Sequence, residues 1–350
     1  MAKRSMGIIA LAGALAACGG GGGAGSAASG VSPAPAPTAQ TTTSTTTRSA
    51  VAVGATFANG ALAPPTVDPG EQSTVTVSAT QNTITLMLTT GGVTYTHTFS
   101  GQNGLTTPAF LTGFTAIGDG TTAPSDVLVY DASLNYAVYG QWEHDNDAAA
   151  TSGATGDFAT GSQTPAANMP ISGTANYSGH AIGGLSAGGT TYALVGTSSF
   201  AADFGARTVS GTLSLNATPD GGATVGLWNT VMVGAAIAAG TNQFAGTASA
   251  PAASGFVATP AMTGTATGNF YGPAANELAG VWKLSGTGAT ALGSFGGAQG
   301  TSAAGGTVTG GDALTGNFGT TTLTPPPTTG TIAGVWTTNT AITGGFGGHR

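Results

Sequence analysis

Residues 208–215 read Thr208-Val209-Ser210-Gly211-Thr212-Leu213-Ser214-Leu215, and their alternation decides the fold class. A strand sends successive side chains to opposite faces, so Val209, Gly211, Leu213 and Leu215 share one face and Thr208, Ser210, Thr212 and Ser214 the other. The polar positions hold Thr and Ser rather than charges, a pattern suited to an antiparallel sheet with one packed face. Working outward, short runs of the same kind recur around 170–178, 190–198, 223–235, 242–250, 260–271, 278–286 and 290–297, which with the first makes eight strands. Glycines at strand positions permit the curvature of a small closed barrel. The chain reads as all-β, with an eight-stranded antiparallel β-barrel over 166–297.

A second set of alternating runs lies upstream, in 51–165. Val75, Val77 and Ala79 oppose Thr74, Thr76 and Ser78; Ile84, Leu86 and Leu88 oppose Thr83 and Thr85; Val93, Tyr95, His97 and Phe99 oppose Thr94, Thr96 and Thr98. Gln81-Asn82 and Gly91-Gly92 sit between them as hairpin turns. Two further strands, 127–130 and 136–142, join around Ser133-Leu134-Asn135, giving an antiparallel sheet of about five strands.

The chain of 350 residues carries 61 glycines and only 5% charged residues, yet keeps 40% hydrophobic ones. That apolar content, spaced in strand period, separates it from a disordered chain. Six basic groups, Lys3 and Arg4 among them, stand against 13 acidic ones, and this balance excludes nucleic acid as a partner.

Lys3 and Arg4 open a positively charged segment, 8–14 is apolar, and Leu15-Ala16-Ala17-Cys18 ends in small residues before the only cysteine. This resembles the lipobox of bacterial lipoproteins. Residues 1–17 then form a signal peptide, too short to span a bilayer, and Cys18 is the lipidation site, with membrane lipid as its partner. Each buried methylene contributes about 0.8 kcal/mol, so two or more acyl chains anchor the protein stably. Gly19 stands where inner-membrane lipoproteins often carry Asp, which points to the outer membrane. Residues 18–50, rich in Gly, Ala-Pro and Thr, read as a disordered tether holding the folded part roughly 30 Å from the lipid.

Four segments of the barrel region resemble the C-terminal β-barrel domain of the transferrin-binding protein B family. They are Pro170-Ile171-Ser172-Gly173-Thr174-Ala175-Asn176-Tyr177-Ser178-Gly179, Ala202-Asp203-Phe204-Gly205 through Val209-Ser210-Gly211-Thr212-Leu213, Gly268-Asn269-Phe270-Tyr271-Gly272-Pro273-Ala274-Ala275-Asn276-Glu277-Leu278-Ala279-Gly280-Val281-Trp282, and Gly293-Ser294-Phe295-Gly296-Gly297. In that family a handle-like sheet precedes the barrel, so the resemblance makes 51–165 the handle. It implies a cell-surface lipoprotein that captures a host iron or haem carrier, such as a transferrin-like protein, for a TonB-dependent receptor. It also implies export by an outer-membrane translocon. The alternative is a structural or adhesive surface lipoprotein that uses the same scaffold without ligand transfer. Beyond 297 the closing elements of the barrel recur: Thr315-Gly316-Asn317-Phe318, Ile332-Ala333-Gly334-Val335-Trp336 and Gly344-Gly345-Phe346-Gly347-Gly348. The tail 298–350 is either a spare copy of the terminal hairpin or a mobile extension.

Little reactive chemistry is legible. There is no Gly-x-Ser-x-Gly elbow, no His-Glu-x-x-His and no cysteine pair, so neither an enzyme nor a cofactor nor a metal site is expected. Of four histidines, His97 shares an apolar face and reads as a core residue, while His349 lies in the tail. His144 and His180 remain candidate ligand-binding residues, with Tyr177 a weaker third, because haem iron is commonly held by His or Tyr. Glu143, Asp145, Asn146 and Asp147 form the densest charged patch and read as a solvated turn, lacking the glycine and distal Glu of a calcium loop. Trp142, Trp228 and Trp282 read as core anchors.

Overall fold

The structure, a computed structural model, describes residues 45–300 apart from 60, 68–71, 79–80, 82, 91, 101–113, 121–125, 132, 147–150 and 220–224. Cys18, the signal peptide, most of the tether and the repeated hairpin of the tail lie outside the described residues. Two sheets follow each other along the chain, as the alternating runs predict.

The first sheet contains β1 (Thr45–Ala58), β2 (Ala61–Leu62), β3 (Thr66–Val67), β4 (Ser73–Ser78), β5 (Thr83–Thr90), β6 (Val93–Ser100), β7 (Phe114–Gly118), β8 (Asp126–Asp131), β9 (Ala137–Asp145) and β10 (Ser152–Gly161). Its order is β6-β5-β4-β1-β10-β9-β8-β7, with the short β2 and β3 beside β1. The expectation of about five strands is therefore corrected to ten. The two strands at its centre, β1 and β10, were hidden because both of their faces are buried. In β1 the residues Ala50, Val51, Ala52 and Val53 are all in the core, and burial on two sides leaves a continuous apolar run in place of an alternation. The tether is also shortened: β1 starts at Thr45, and Thr45 to Ala50 pair with Ser78 back to Ser73. What reads as a Thr-rich linker is the polar end of a central strand.

The second sheet is a closed barrel of β11 (Thr174–Ala187), β12 (Thr190–Asp203), β13 (Thr208–Pro219), β14 (Gly226–Ile237), β15 (Gln243–Ala250), β16 (Met262–Tyr271), β17 (Glu277–Gly286) and β18 (Ala289–Gln299). Every neighbour is antiparallel, and β18 closes the ring on β11, with Ala181 opposite Phe295 and Gly184 opposite Leu292. The first copy of the terminal hairpin thus closes the barrel. Val209, Leu213 and Leu215 of β13 point inward and are fully buried, as their alternation requires. The interior is filled with rings. Phe270 meets Tyr177, Phe204 and Phe244 at centroid distances of 5.9, 5.6 and 5.5 Å, and Phe200 stacks on Phe295 at 4.7 Å. An eight-stranded barrel is just wide enough for its own side chains to fill it, and this one is filled.

The two sheets share a core. Strands β1, β9 and β10 lie against β17 and β18, and Ile182, Tyr271, Ala279, Val281 and Leu292 of the barrel join the apolar cluster of the first sheet. Small residues bring the layers close: a Cβ added to Gly296 would stand 2.2 Å from the ring of Tyr139, so only glycine seats that tyrosine. The Ser294 hydroxyl donates to the Gly140 carbonyl at 3.1 Å. The Glu277 carboxylate accepts N–H bonds from Asn135, Tyr136 and Ala137 at 2.7, 2.8 and 2.8 Å. Charge-assisted bonds of this kind are the stronger class of hydrogen bond.

Candidate functional site

The three residues singled out as ligand candidates do not converge. Tyr177 lies on β11 inside the barrel, 1% exposed, and its hydroxyl donates to the Ala275 carbonyl at 2.7 Å. Burial raises its pKa, which keeps it protonated and suits a packing residue.

His180, also on β11, is partly exposed and reaches across to the first sheet, where its Nδ1 is 3.3 Å from Oδ2 of Asp131. Asp131 is fully buried at the end of β8. It also accepts from the Tyr139 hydroxyl at 2.5 Å and from the Ser133 N–H at 2.6 Å. Burial opposes the charge on Asp131, but bonds from His180, Ser133 and Tyr139 outweigh it and hold the carboxyl below its usual range. The same bond raises the His180 pKa against the opposing effect of burial. This is a polar bridge between sheet and barrel.

His144 on β9 belongs to a separate cluster. Its Nδ1 is 2.5 Å from Oδ1 of Asp126, and Nδ1 of His97 is hydrogen-bonded to Oδ2 of the same carboxylate. Burial disfavours the Asp126 charge, yet the two imidazoles more than compensate, and its pKa falls below the usual range. The rings of His97 and His144 are 5.0 Å apart, and Trp142 stacks on His97 at 5.3 Å and lies 5.1 Å from Tyr95. His97 is a core residue, as its apolar face predicts, but it is also part of this polar cluster. Asp126 is the member that sequence reasoning missed. The hairpin register contained the signal, since continuing the pairing of Tyr130 with Gly140 outward brings Asp126 opposite His144.

Two further polar features were also misread or unread. Glu143 and Asp145 are buried on β9, 1% and 2% exposed, which corrects the solvated turn expected there: β9 runs on to Asp145, with both faces covered. Asp157 on β10 is buried beside Ser294, whose hydroxyl lies 3.3 Å from it, and burial drives its pKa well above the usual carboxylate range. On the outside, a cleft of about 660 Å³ runs between sheet and barrel, lined by Val51, Thr66, Gln243, Gly246 and Lys283 among others. Its lysine donates to the Pro65 carbonyl at 3.0 Å, so the cation is engaged within the protein. Among the described residues no helix is long and apolar enough to cross a membrane.

Comparison with known proteins gives a consistent outcome for the barrel. Residues 169–299 match the family described as the C-lobe and N-lobe beta barrels of Tf-binding protein B. No curated protein sequence matches the chain. Among solved structures, a double mutant of transferrin binding protein B from Haemophilus parasuis is 18% identical with a TM-score of 0.45, covering 73% of this chain and 45% of that one. The isotype 1 transferrin binding protein B from serogroup B Neisseria meningitidis is 18% identical with a TM-score of 0.41, covering 72% and 44%. The N-lobe of lactoferrin binding protein B from Moraxella bovis is 20% identical with a TM-score of 0.34, covering 51% and 80%. The chain thus spans less than half the length of the first and second of these proteins. The resemblance read from the four barrel segments is matched by the family finding, which covers residues 169–299.

Proposed function

We propose that this protein is an outer-membrane lipoprotein, held at the cell surface by acyl chains on Cys18, that binds a host iron-carrier protein through the loops of its sheet and barrel. The match of residues 169–299 to the barrels of transferrin-binding protein B carries this reading. The packing of the barrel refines it. With Phe200, Phe244, Phe270 and Phe295 meeting inside, the interior has no place for a haem-sized ligand, and recognition falls to the outer surface. Capture of a protein is then favoured over capture of haem, because the two exposed candidate histidines are each bonded to a different carboxylate. Delivery to a TonB-dependent receptor and export by an outer-membrane translocon belong to the same proposal.

Surface plasmon resonance on the immobilised full chain tests it. Iron-loaded transferrin or lactoferrin is expected to bind saturably, and haem titration is expected to leave the Soret band unshifted. Absence of binding to either carrier would leave a structural or adhesive role in its place. Labelling of Cys18 by a clickable fatty acid, lost in Cys18→Ala, tests the anchor separately.

A further inference from the structure

The first sheet is open but curled, and its two ends come together. Strand β6 begins the order of strands and β7 and β8 end it, yet β6 packs against both. No backbone ladder joins β6 to either among the described pairings; β6 is paired with β5 alone. A curled sheet that stops short of closure leaves a seam with unpaired edges, which proteins ordinarily pair, cover or charge. Here the seam is crossed by His97 of β6, which reaches Asp126 of β8, itself paired with His144 of β9.

We propose that this seam is a binding site for a divalent transition-metal ion of the zinc class, held by His97, Asp126 and His144, and that the ion acts as a clasp closing the curled sheet. The donor set selects the ion. Two imidazole nitrogens and one carboxylate oxygen suit zinc and its neighbours, whereas calcium and magnesium require shells made of oxygen. All the donor atoms lie within 4.8 Å of one another. Zinc binds such atoms at about 2.0–2.2 Å, so donors around one ion stand a little over 3 Å apart.

Two further observations favour a metal over a plain hydrogen-bonded cluster. Both histidines aim the same nitrogen, Nδ1, at one carboxylate. His97 and Trp142 stack, and Tyr95 packs on Trp142, which fixes the buried ligand, while His144 is about a third exposed and leaves the ion an entry path and room for water. Three protein ligands and an open position are a recurrent zinc arrangement.

Isothermal titration of the untagged, chelator-stripped full chain with Zn²⁺ at pH 7.5 is expected to give one ion per chain and a higher unfolding midpoint. Co²⁺ should give the visible absorption of a nitrogen- and oxygen-ligated ion. His144→Gln, which alters the most exposed ligand, is expected to weaken binding by more than the about 10–100-fold that loss of a supporting outer partner costs. His180→Gln, at the other histidine–aspartate contact, and His349→Gln, in the tail, should leave binding unchanged. In the unaltered chain, the imidazole resonances of His97 and His144 should shift on adding Zn²⁺ and those of His180 should not, a readout that does not depend on any variant folding. Absence of binding, binding that survives His144→Gln, or shifts confined to His180 or His349 would overturn the site.

Discussion

The barrel buries aromatic rings and, among its described residues, one carboxylate, Glu277; the curled sheet buries Asp131, Glu143, Asp145 and Asp157. The difference follows from closure. A closed barrel has no edges, each strand pairs on both sides, and its interior can be filled with apolar rings. Among its described residues, the curled sheet has two edges that meet without a ladder, and a face laid against another sheet. Its polar groups gather at these places: Asp126 at the seam, and Asp131 and Asp157 against the barrel. Hydrophobic packing holds one half of the molecule together, and hydrogen-bonded carboxylates fix how the other half closes and docks.

The largest expected effect comes from emptying the barrel. Phe270→Ala removes the ring on which Tyr177, Phe204 and Phe244 converge, at an expected cost of about 3–5 kcal/mol in urea unfolding. A cost near zero would mean that the barrel collapses around the gap, and the contrast with the sheet would weaken. Next comes the polar dock. Glu277→Ala strips the Asn135, Tyr136 and Ala137 amides of their acceptor, with an expected loss of about 2–4 kcal/mol. Glu277→Gln, which keeps one acceptor oxygen, should lose less.

Asp157→Asn should act in the opposite direction. Because the folded pKa of Asp157 is raised, its contribution to stability is fully present below the ordinary carboxylate range and is lost as pH rises through the folded value. Replacing it with a neutral isostere is expected to stabilise the protein by about 1–2 kcal/mol at neutral pH, with no gain at pH 3, as read from thermal unfolding at several pH values. The smallest effect is expected at His180. Its raised pKa gives a contribution that is present below the ordinary histidine value and lost as pH rises through the folded value. Asp131, with a lowered pKa, loses its contribution as pH falls. The bridge is therefore strongest between about pH 4 and 6.5. His180→Gln should flatten the decline of stability above that window by no more than about 1 kcal/mol, since solvent screens a half-exposed ring.

The barrel was legible because strands such as β13 have one wet and one dry face, so Val209, Leu213 and Leu215 announce themselves. The centre of the sheet was not. Strand β10, Ser-Gly-Ala-Thr-Gly-Asp-Phe-Ala-Thr-Gly, carries the glycines of a loop and an aspartate. Yet Gly156 is there because a Cβ would stand 2.4 Å from the Val53 carbonyl oxygen and 2.8 Å from Nε1 of Trp142. A glycine that makes room for a ring and a glycine that makes a turn look the same in one dimension. The polar clusters were half legible for a related reason. His144 and His180 attract notice by residue type, whereas Asp126 and Asp131 gain their meaning from partners brought by curling and docking, contacts between segments far apart along the chain.

Glu277 has a consequence in time as well as in space. It lies 140 residues after the amide of Ala137 that it satisfies. A chain synthesised N-terminus first at about 5–20 residues per second presents that loop roughly 7–28 seconds before its acceptor arrives. During that interval the three amides must stay with water, and the face that will receive the barrel stands open. The first half of the molecule therefore emerges before the strand that completes its dock, β17.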